Sequence, residues 1–204
     1  MRIIVVGLLG IGSLAHADNF ASFELAAGGQ LPVGDATWTS ATSASPAAFG
    51  AVAWHFDEHF GVLGSGEVID QLGLSGPPGT YKPSLLRLRF LAHAFYEHEV
   101  VRHVTLATRF GIGLDEMFLD WDQPAGGNPS YRTEQTRALA LEPAAGVWWD
   151  AGIGVQLGGE IAIPISTARD SQLIGHKLSG DMAPAFATYE VAVLAGIRIT
   201  SKRD

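Results

Sequence analysis

Cysteine is absent from the 204 residues, which excludes disulfide bonds, thiolate metal sites and a lipid-modified N-terminal cysteine. Exported domains often rely on disulfides, so an exported chain of this composition must gain its stability in another way. Long apolar runs are also absent. The longest candidate, at the N-terminus, falls far short of the ~20 residues that a membrane-spanning helix needs, so no transmembrane helix is expected.

Residues 1–17 have the three parts of a secretory signal peptide. Arg2 forms a positive n-region, Ile3–Ile11 an apolar h-region, and Ala15–Ala17 a small-x-small cleavage site. Cleavage is predicted before Asp18, and the short apolar run disfavours the alternative of a single membrane anchor. The sequence therefore predicts an exported chain with one domain, residues 18–204, long enough to bury a sizeable core.

The exported chain is acidic. Removal of the signal peptide leaves 12 basic and 21 acidic residues, a formal charge of −9. An acidic surface argues against nucleic acid as a partner, because contact with phosphates requires patches of lysine and arginine.

Eight segments alternate between apolar residues and polar or small ones, which predicts β-strands with two different faces. In one of them Leu88 and Phe90 alternate with Arg87 and Arg89. If the charged face looks outward, the fold is a soluble barrel or sandwich; if it looks inward, it lines a barrel in a lipid bilayer. The predicted strands are Phe20–Gln30, Ala47–Phe56, Phe60–Gln71, the two arms of the hairpin Ser84–Leu114, Ala138–Asp150, Gly152–Ile163 and Ala185–Thr200.

The predicted connections alternate in length. Short turns at one end of the strands and long loops at the other are typical of bacterial outer-membrane barrels, whereas a soluble up-and-down barrel has no reason to segregate them. Short turns are expected at Asp57–His59, Glu97–Arg102 and Asp150–Ala151. Long loops are expected at Leu31–Pro46, Leu72–Pro83, Asp115–Arg137 and Pro164–Pro184.

No position assigned to the apolar face of a predicted strand carries a charge. Nine charged residues fall on the other face, which otherwise carries mainly small residues. Five carboxylates and four arginines can neutralise one another in a narrow interior, whereas unpaired buried charges would be very costly. This near-balance favours a charged lumen inside an apolar, lipid-facing wall. The residues expected to form a structural ion-pair network in the lumen are Glu24, Glu67, Arg87, Arg89, Arg109, Glu142, Glu160, Glu190 and Arg198.

Aromatic residues cluster at the two ends of the predicted strands, as in the interfacial girdles of membrane barrels. Aromatic packing in a soluble core is the alternative interpretation. The set at the short-turn ends is Phe20, Phe23, Trp54, Phe56, Phe60, Tyr96 and Trp149. The thinner set near the long loops is Tyr81, Phe118, Trp121 and Tyr189.

In this arrangement of strands, loops, charges and aromatics, the chain resembles the small eight-stranded outer-membrane barrels that include the OmpA transmembrane domain and OmpX. The resemblance covers residues 18–204 and lies in architecture, without a diagnostic motif. It implies an all-β, eight-stranded antiparallel up-and-down barrel in the bacterial outer membrane. Both termini would lie in the periplasm, and four long loops would lie outside.

One feature departs from that group. Its members usually end in an aromatic residue that the assembly machinery recognises, whereas the last strand here continues into Ser201–Asp204. Either recognition uses an internal signal such as Tyr189, or the chain is an atypical member.

Two polar stretches are candidate metal sites. Glu97–His103 carries two histidines but lacks the H-E-x-x-H spacing of zinc enzymes, so a solvated turn is the better interpretation. His55 and His59 flank another short turn and are interpreted in the same way. Asp115–Asp122 could collect a divalent cation, yet it lacks the spacing of a calcium loop and otherwise reads as an exposed acidic loop. No metal or cofactor is assigned.

Catalysis by a membrane-rim serine hydrolase would need a histidine and a serine two residues apart on one strand face, and the sequence contains no H-x-S. The nearest match is His103–Thr105, at a short-turn end. Glu–Arg pairs in the lumen could work as acid–base pairs, but structural ion pairs in a narrow barrel explain them better. No catalytic residue is assigned.

The expected function is that of a structural or surface-interaction outer-membrane protein. We expect a monomer that contacts outer-membrane lipid, and unknown surface partners through its long loops. Eight strands enclose an interior just wide enough for side chains, so the lumen should block ions rather than conduct them. The alternatives are a narrow porin-like channel, a lipid-modifying barrel enzyme and a soluble lipocalin-like periplasmic barrel.

Overall fold

The structure is a computed structural model, and it describes residues 20–33, 43–71, 84–121, 132–167 and 187–201. The predicted signal peptide, residues 1–17, lies outside the described residues. Within the described ranges, no helix is long and apolar enough to cross a membrane.

The described strands form a single antiparallel sheet that closes on itself. Closure joins β1 to β9, with Phe23 opposite Ile199. β7 and β8 pair with the same two neighbours and together form one wall position, so the barrel is eight-stranded, as predicted. The strands are β1 (Phe20–Val33), β2 (Ser45–His55), β3 (Phe60–Gln71), β4 (Ser84–Val101), β5 (Val104–Trp121), β6 (Arg132–Asp150), β7 (Val155–Ala162), β8 (Ile165–Thr167) and β9 (Ala187–Thr200).

Two prolines lie in the part of the wall formed by β6, β7 and β8, and both remain bonded to a neighbouring strand. Pro143 lies within β6, and its carbonyl accepts a hydrogen bond of 2.9 Å from the backbone N–H of Ile163. Pro164 separates β7 from β8, and its carbonyl accepts one of 3.1 Å from the N–H of Glu190. Because proline lacks an N–H but keeps its carbonyl, each residue still bonds to a neighbouring strand.

Several predicted connections are too long, because strands extend into them. The turn predicted at Glu97–Arg102 is wrong: β4 continues to Val101, and the turn lies at Arg102 and His103. The loop predicted at Asp115–Arg137 is also wrong at both ends, since β5 runs to Trp121 and β6 begins at Arg132. Glu97 and Asp115 continue the inward alternation of β4 and β5, so their charge marks the lumen rather than a turn or a loop.

The other connections differ by smaller amounts. β1 and β2 each extend into the predicted loop Leu31–Pro46, and β8 lies inside the predicted loop Pro164–Pro184. The turn predicted at Asp150–Ala151 is longer, so that β7 begins at Val155. Three consecutive residues of this turn have positive φ: 82° at Gly152, 57° at Ile153 and 74° at Gly154.

The two faces of the barrel are distributed as the inward-charge interpretation requires. Leu25 and Phe90 on the outer face are 55% and 54% exposed, whereas Glu24 and Arg89 on the inner face are 2% and 0% exposed. A soluble protein has the opposite distribution, with apolar residues inside. The outer wall is thus suited to lipid, and the soluble-barrel alternative is inconsistent with it.

Aromatic side chains mark the short-turn end of this wall. Phe60 and Tyr96 lie on neighbouring strands with ring centroids 5.0 Å apart, and Phe56 and Trp149 are also exposed there. Phe23 is exposed, whereas Phe20 and Trp54 are half-buried. Of the thinner set, Phe118 is half-buried, and Tyr81 and the side chains of Trp121 and Tyr189 lie outside the described residues.

One charged pair lies on the outer face. Glu116 and Arg137 are opposite each other on β5 and β6 and form a salt bridge in which Arg137 is largely exposed. Both residues belong to the strand extensions near the long-loop end. Asp70, opposite Leu86, is a further exposed charge near the long-loop end of β3. The wall is therefore apolar over most of the predicted strand segments but not over its whole height.

Candidate functional site: the ion-paired lumen

The lumen is filled by charged side chains that the strand register brings together. Glu67 on β3 and Asp115 on β5 lie directly opposite Arg89 on β4, one on each side. Arg89 Nη1 is 2.6 Å from Glu67 Oε2, and Nη2 is 3.4 Å from Asp115 Oδ2. Across the lumen, Nη2 is 3.0 Å from Glu190 Oε2. The guanidinium of Arg89 on β4 therefore pairs with acids from three other strands, β3, β5 and β9.

Arg87 lies one inward position nearer the long-loop end of β4. It forms salt bridges with Asp115 and with Glu190, and both its side chain and that of Asp115 are fully buried. Ser166 on β8 donates a hydrogen bond of 2.5 Å to Asp115 Oδ2. Both arginines therefore pair with Asp115 and with Glu190. We call these four residues the loop-side cluster, and they form the first of three layers in the lumen.

A second layer lies around Arg109 of β5. Its Nη2 is 3.1 Å from Glu142 Oε1 and also pairs with Glu160, and its guanidinium lies 4.5 Å above the ring of Phe49. Glu142 Oε2 is 3.6 Å from Arg89 Nη1, so this carboxylate connects the second layer to the loop-side cluster.

A third layer is close to the short turns. Arg198 of β9 lies opposite Glu24 of β1 across the closing seam, and its Nη2 is 3.2 Å from Glu24 Oε2. Its Nη1 is 2.5 Å from Glu97 Oε1 and 3.4 Å from Gln156 Oε1. The guanidinium also lies 4.4 Å above the ring of Trp148, a contact of cation–π type.

All nine residues that the sequence assigned to the lumen lie inside it, but two further acids join them. Asp115 and Glu97 were predicted in a loop and a turn, and both are buried partners of arginines. Their positions could have identified them, because both have odd numbers, like the inward-facing Arg89 on β4 and Arg109 on β5. Among the described residues, the lumen thus holds seven carboxylates and four guanidiniums.

The acidic stretch at 115–122 does not form the exposed loop that its composition suggested. Asp115 points into the lumen, whereas Glu116 pairs with Arg137 on the outer face. Neighbouring strand residues face opposite sides of the wall, so these two carboxylates cannot converge on one ion. No group of three or more histidine, aspartate or glutamate side chains in the described ranges is placed to hold a metal ion.

Two serine–histidine pairs are present that spacing in the sequence did not reveal. Ser22 Oγ lies 3.0 Å from His55 Nε2, and Ser65 Oγ lies 2.8 Å from His93 Nε2. A nucleophile of this type needs a histidine oriented by a third group. Among the described residues, His93 Nδ1 has no hydrogen-bond partner. Both rings are buried inside the barrel, away from lipid, which indicates a structural role.

The interior between the second and third layers contains one small cavity. Its volume is about 10 Å³, and its lining includes Glu24, Arg109, Glu160 and Arg198. Such a volume holds about one water molecule. The arrangement fills the barrel with paired side chains and leaves no wide passage through the part of the lumen that the structure describes.

Solved structures of outer-membrane barrels share this fold, and two of them are described below. Neisserial surface protein A is 10% identical, with a TM-score of 0.56 and coverage of 89% of this chain and 96% of that chain. A major outer membrane protein from Thermus thermophilus is 12% identical, with a TM-score of 0.64 and coverage of 91% and 100%. No protein-family model and no curated protein sequence matches the chain.

The predicted resemblance to small outer-membrane barrels is thereby confirmed at the level of the fold. Similarity at 10–12% identity shows a shared backbone architecture. It assigns no role to any residue of the lumen. Together with the exposed apolar wall, this architecture is that of a membrane-spanning β-barrel, the fold of those two outer-membrane proteins.

Proposed function

We propose that this outer-membrane β-barrel is a closed, non-catalytic scaffold that displays its long loops at the cell surface. The observation that carries the proposal is the lumen network: four arginines are paired with acids in three successive layers. In this proposal the barrel is monomeric, contacts membrane lipid along its wall, and contacts surface partners through its loops.

The layered ion pairs support a closed lumen. A hydrated ion that entered from either end would have to displace guanidinium–carboxylate pairs that are almost fully buried. Separating such pairs leaves uncompensated charge in a medium of low dielectric constant, which is costly. A narrow channel is therefore the weaker candidate.

The distribution of connections supports a surface role. Residues 34–42, 72–83, 122–131 and 168–186 connect strands at one end of the barrel, whereas the turns at the other end span only two to four residues. Loops tolerate variation and commonly carry binding residues on a rigid support. A barrel held together by internal ion pairs provides such a support.

Planar-bilayer recording tests the closed lumen. The purified wild-type barrel should produce no conductance steps in 1 M KCl. A triple variant that truncates one arginine in each layer is the comparison for the conductance of the wild type. It combines Arg89→Ala, Arg109→Ala and Arg198→Ala. Reproducible single-channel steps from the wild-type protein would favour the channel alternative.

Loop replacement separates the structural role from the surface role. Cells lacking the protein are complemented either with the wild type or with a barrel whose residues 122–131 and 168–186 are replaced by short Gly-Ser turns. A surface role predicts that the trimmed barrel inserts normally yet fails to restore attachment of the cells to a host or abiotic surface. Full restoration would assign the function to the barrel alone.

Lipid analysis tests the non-catalytic part of the proposal. Ser65→Ala removes one of the two serine hydroxyls that contact a histidine, and Thr108→Ala removes a wall hydroxyl as a control. The lipid profile of the membrane should be the same with either variant and with the wild type. A change specific to Ser65→Ala would favour the lipid-modifying alternative.

A further inference from the structure

Two histidines, one in a turn and one in a strand, lie side by side at the short-turn end of the barrel. His59 ends the turn after β2, and His98 lies near the end of β4. Pairing of β3 with β4, with Phe60 opposite Tyr96, brings them together. Their ring centroids are 5.8 Å apart, and both side chains are exposed. The sequence alone does not indicate this proximity, because 38 residues lie between the two histidines.

The hydrogen bonding of His59 sets its tautomer. His59 Nδ1 lies 3.0 Å from the backbone carbonyl oxygen of Glu97. A carbonyl oxygen can only accept, so Nδ1 carries the proton of the neutral ring and the lone pair lies on Nε2. Metal-binding histidines typically donate their other N–H to a backbone carbonyl or a carboxylate, which fixes the orientation of the ring.

The turn that carries His59 is also held in place. Asp57 Oδ1 accepts hydrogen bonds of 2.7 Å from the backbone N–H groups of both His59 and Phe60. These two hydrogen bonds keep the turn ordered, so His59 is presented from a fixed backbone.

We propose that His59 and His98 form a surface site for a divalent first-row transition metal ion of the copper, nickel and zinc class. Neutral imidazole suits these ions, and the affinity of a given site rises towards copper. Water completes the coordination, since no third histidine or carboxylate in the described ranges is positioned to form a ready-made site. Nothing in this proposal depends on the scaffold function.

The distance between the rings is compatible with a shared ion. A metal–nitrogen bond of about 2.0–2.1 Å places a ring centroid ~3.2 Å from the ion. Two rings then have centroids ~5.2 Å apart at the tetrahedral angle of Zn²⁺ and ~4.5 Å apart at neighbouring positions of a tetragonal Cu²⁺. The observed 5.8 Å must therefore shorten by roughly 0.6 Å for zinc and roughly 1.3 Å for copper. Side-chain rotation can supply this, because neither exposed ring is packed in a core.

The surroundings favour a cation. The two histidines line a cavity of about 590 Å³ at the mouth of the barrel, together with the carboxylates of Glu58, Glu99 and Asp150. A concave surface lined by negative charge concentrates cations near it. His103 lines the same cavity from the next turn and is the natural control position.

Copper titration of the mature chain tests the site. The protein carries no histidine tag and is folded in detergent micelles, and calorimetry follows the binding of CuCl₂. The wild type should bind one Cu²⁺ at the pair, and His59→Asn and His98→Asn should each weaken binding at least about tenfold, the lower end of what even an outer-shell partner contributes. His103→Asn should keep the wild-type affinity, and asparagine tolerates the φ of 67° at that position.

A spectroscopic measurement makes the result independent of the variants. The electron paramagnetic resonance spectrum of Cu²⁺ bound to the wild type should show coupling to two imidazole nitrogens. Unchanged affinity in both single variants, or an equal loss in His103→Asn, would overturn the assignment. If a variant does not fold, a wild-type spectrum without two nitrogen ligands does the same.

Discussion

Arg89 contacts four carboxylates, those of Glu67, Asp115, Glu142 and Glu190. A buried ion pair adds little to stability relative to an apolar filling, because both charges lose their hydration. Removal of one partner is different, since the remaining charges stay buried without compensation. The lumen therefore depends on its arginines more than a count of salt bridges suggests.

The substitution Arg89→Met tests this dependence. We expect it to lower the free energy of unfolding by ~3–5 kcal/mol, because it leaves several buried carboxylates without their cation. Arg137→Met is the matched control, since Arg137 is largely exposed and its pair with Glu116 should contribute only ~0–1 kcal/mol. Urea unfolding in lipid vesicles measures both, and equal losses would contradict the central role of Arg89.

The excess of acids over arginines predicts that the carboxylates are not equivalent. Asp115→Asn weakens contacts with both Arg87 and Arg89 and should cost about 3 kcal/mol or more. Glu142→Gln removes one charge from the acid-rich interior, and its amide oxygen can still accept from Arg109. It should therefore change stability by less than about 1 kcal/mol. The same unfolding assay compares them, and a larger loss in Glu142→Gln would refute this ranking.

The alternation of odd and even positions along each strand predicted most of the residues that line the lumen. Arg89 and Arg198 could be assigned from the sequence because they alternate with apolar neighbours inside clear strands. Asp115 was missed because three further acids follow it within seven residues, and an acidic stretch of this kind resembles a loop. The Ser65–His93 contact was not predictable in the same way, since it depends on the register between two strands.

At the scale of elements, glycine positions show where strands approach closely. A Cβ atom added to Gly113 would lie 1.9 Å from the carbonyl oxygen of Phe90 on the neighbouring strand. A Cβ on Gly64 would meet nothing within 4 Å. The first glycine is therefore required by the β4–β5 contact, whereas the second faces open space on the outer wall.

Two alanine substitutions distinguish these glycines. Gly113→Ala should cost about 1–3 kcal/mol, because a backbone must shift to admit the methyl group. Gly64→Ala should be neutral or slightly stabilising, since it adds apolar surface where the wall faces lipid and reduces the freedom of the unfolded chain. The midpoint of urea unfolding reports both effects. Equal effects would mean that β4 and β5 can move apart to admit a methyl group without a loss of stability.

The turn before β7 contains a residue that its backbone does not favour. Ile153 has φ of 57° and is 99% exposed, and left-handed backbone costs ~1–2 kcal/mol for most residues with a Cβ. Ile153→Asn should therefore raise the stability by about 1 kcal/mol, because asparagine enters this region more readily. Ile153→Val keeps the branched side chain and should leave the melting temperature unchanged. A gain in both variants would point to exposure rather than backbone strain.

The extents of the strands could not be read from alternation alone. Apolar residues define a strand only where lipid contacts the wall, and β4, β5 and β6 continue beyond that region with polar outward residues such as Glu116 and Arg137. At ~3.3 Å per residue and a tilt of about 35–45°, a strand of 18 residues rises well over the ~25 Å apolar band of such barrels. The sequence therefore defined the membrane part of the wall better than its rim.

For the molecule as a whole, the decisive property is which face contacts lipid. Spin labels on single cysteines at Phe90 and Leu91 test it, because these neighbours are 54% and 6% exposed. In vesicles, the label at position 90 should be relaxed strongly by oxygen dissolved in the bilayer, and the label at 91 should not. The reverse result would place the arginines on the outer surface and overturn the membrane assignment.

The seam between β1 and β9 also has a consequence for folding kinetics. Closure joins residues 22–33 to residues 189–200, so it can form only after nearly the whole chain is available. Until then, both seam strands are open edges that can pair with other chains. A slip of one residue would turn Arg198 away from Glu24 towards the lipid. Because Arg198 lies near the short-turn end of the wall, exposure of its charge there costs only ~0–1 kcal/mol. The larger loss is the buried carboxylate of Glu24, which would be left without its cation. The Glu24–Arg198 pair thus selects the correct register at the last step of assembly.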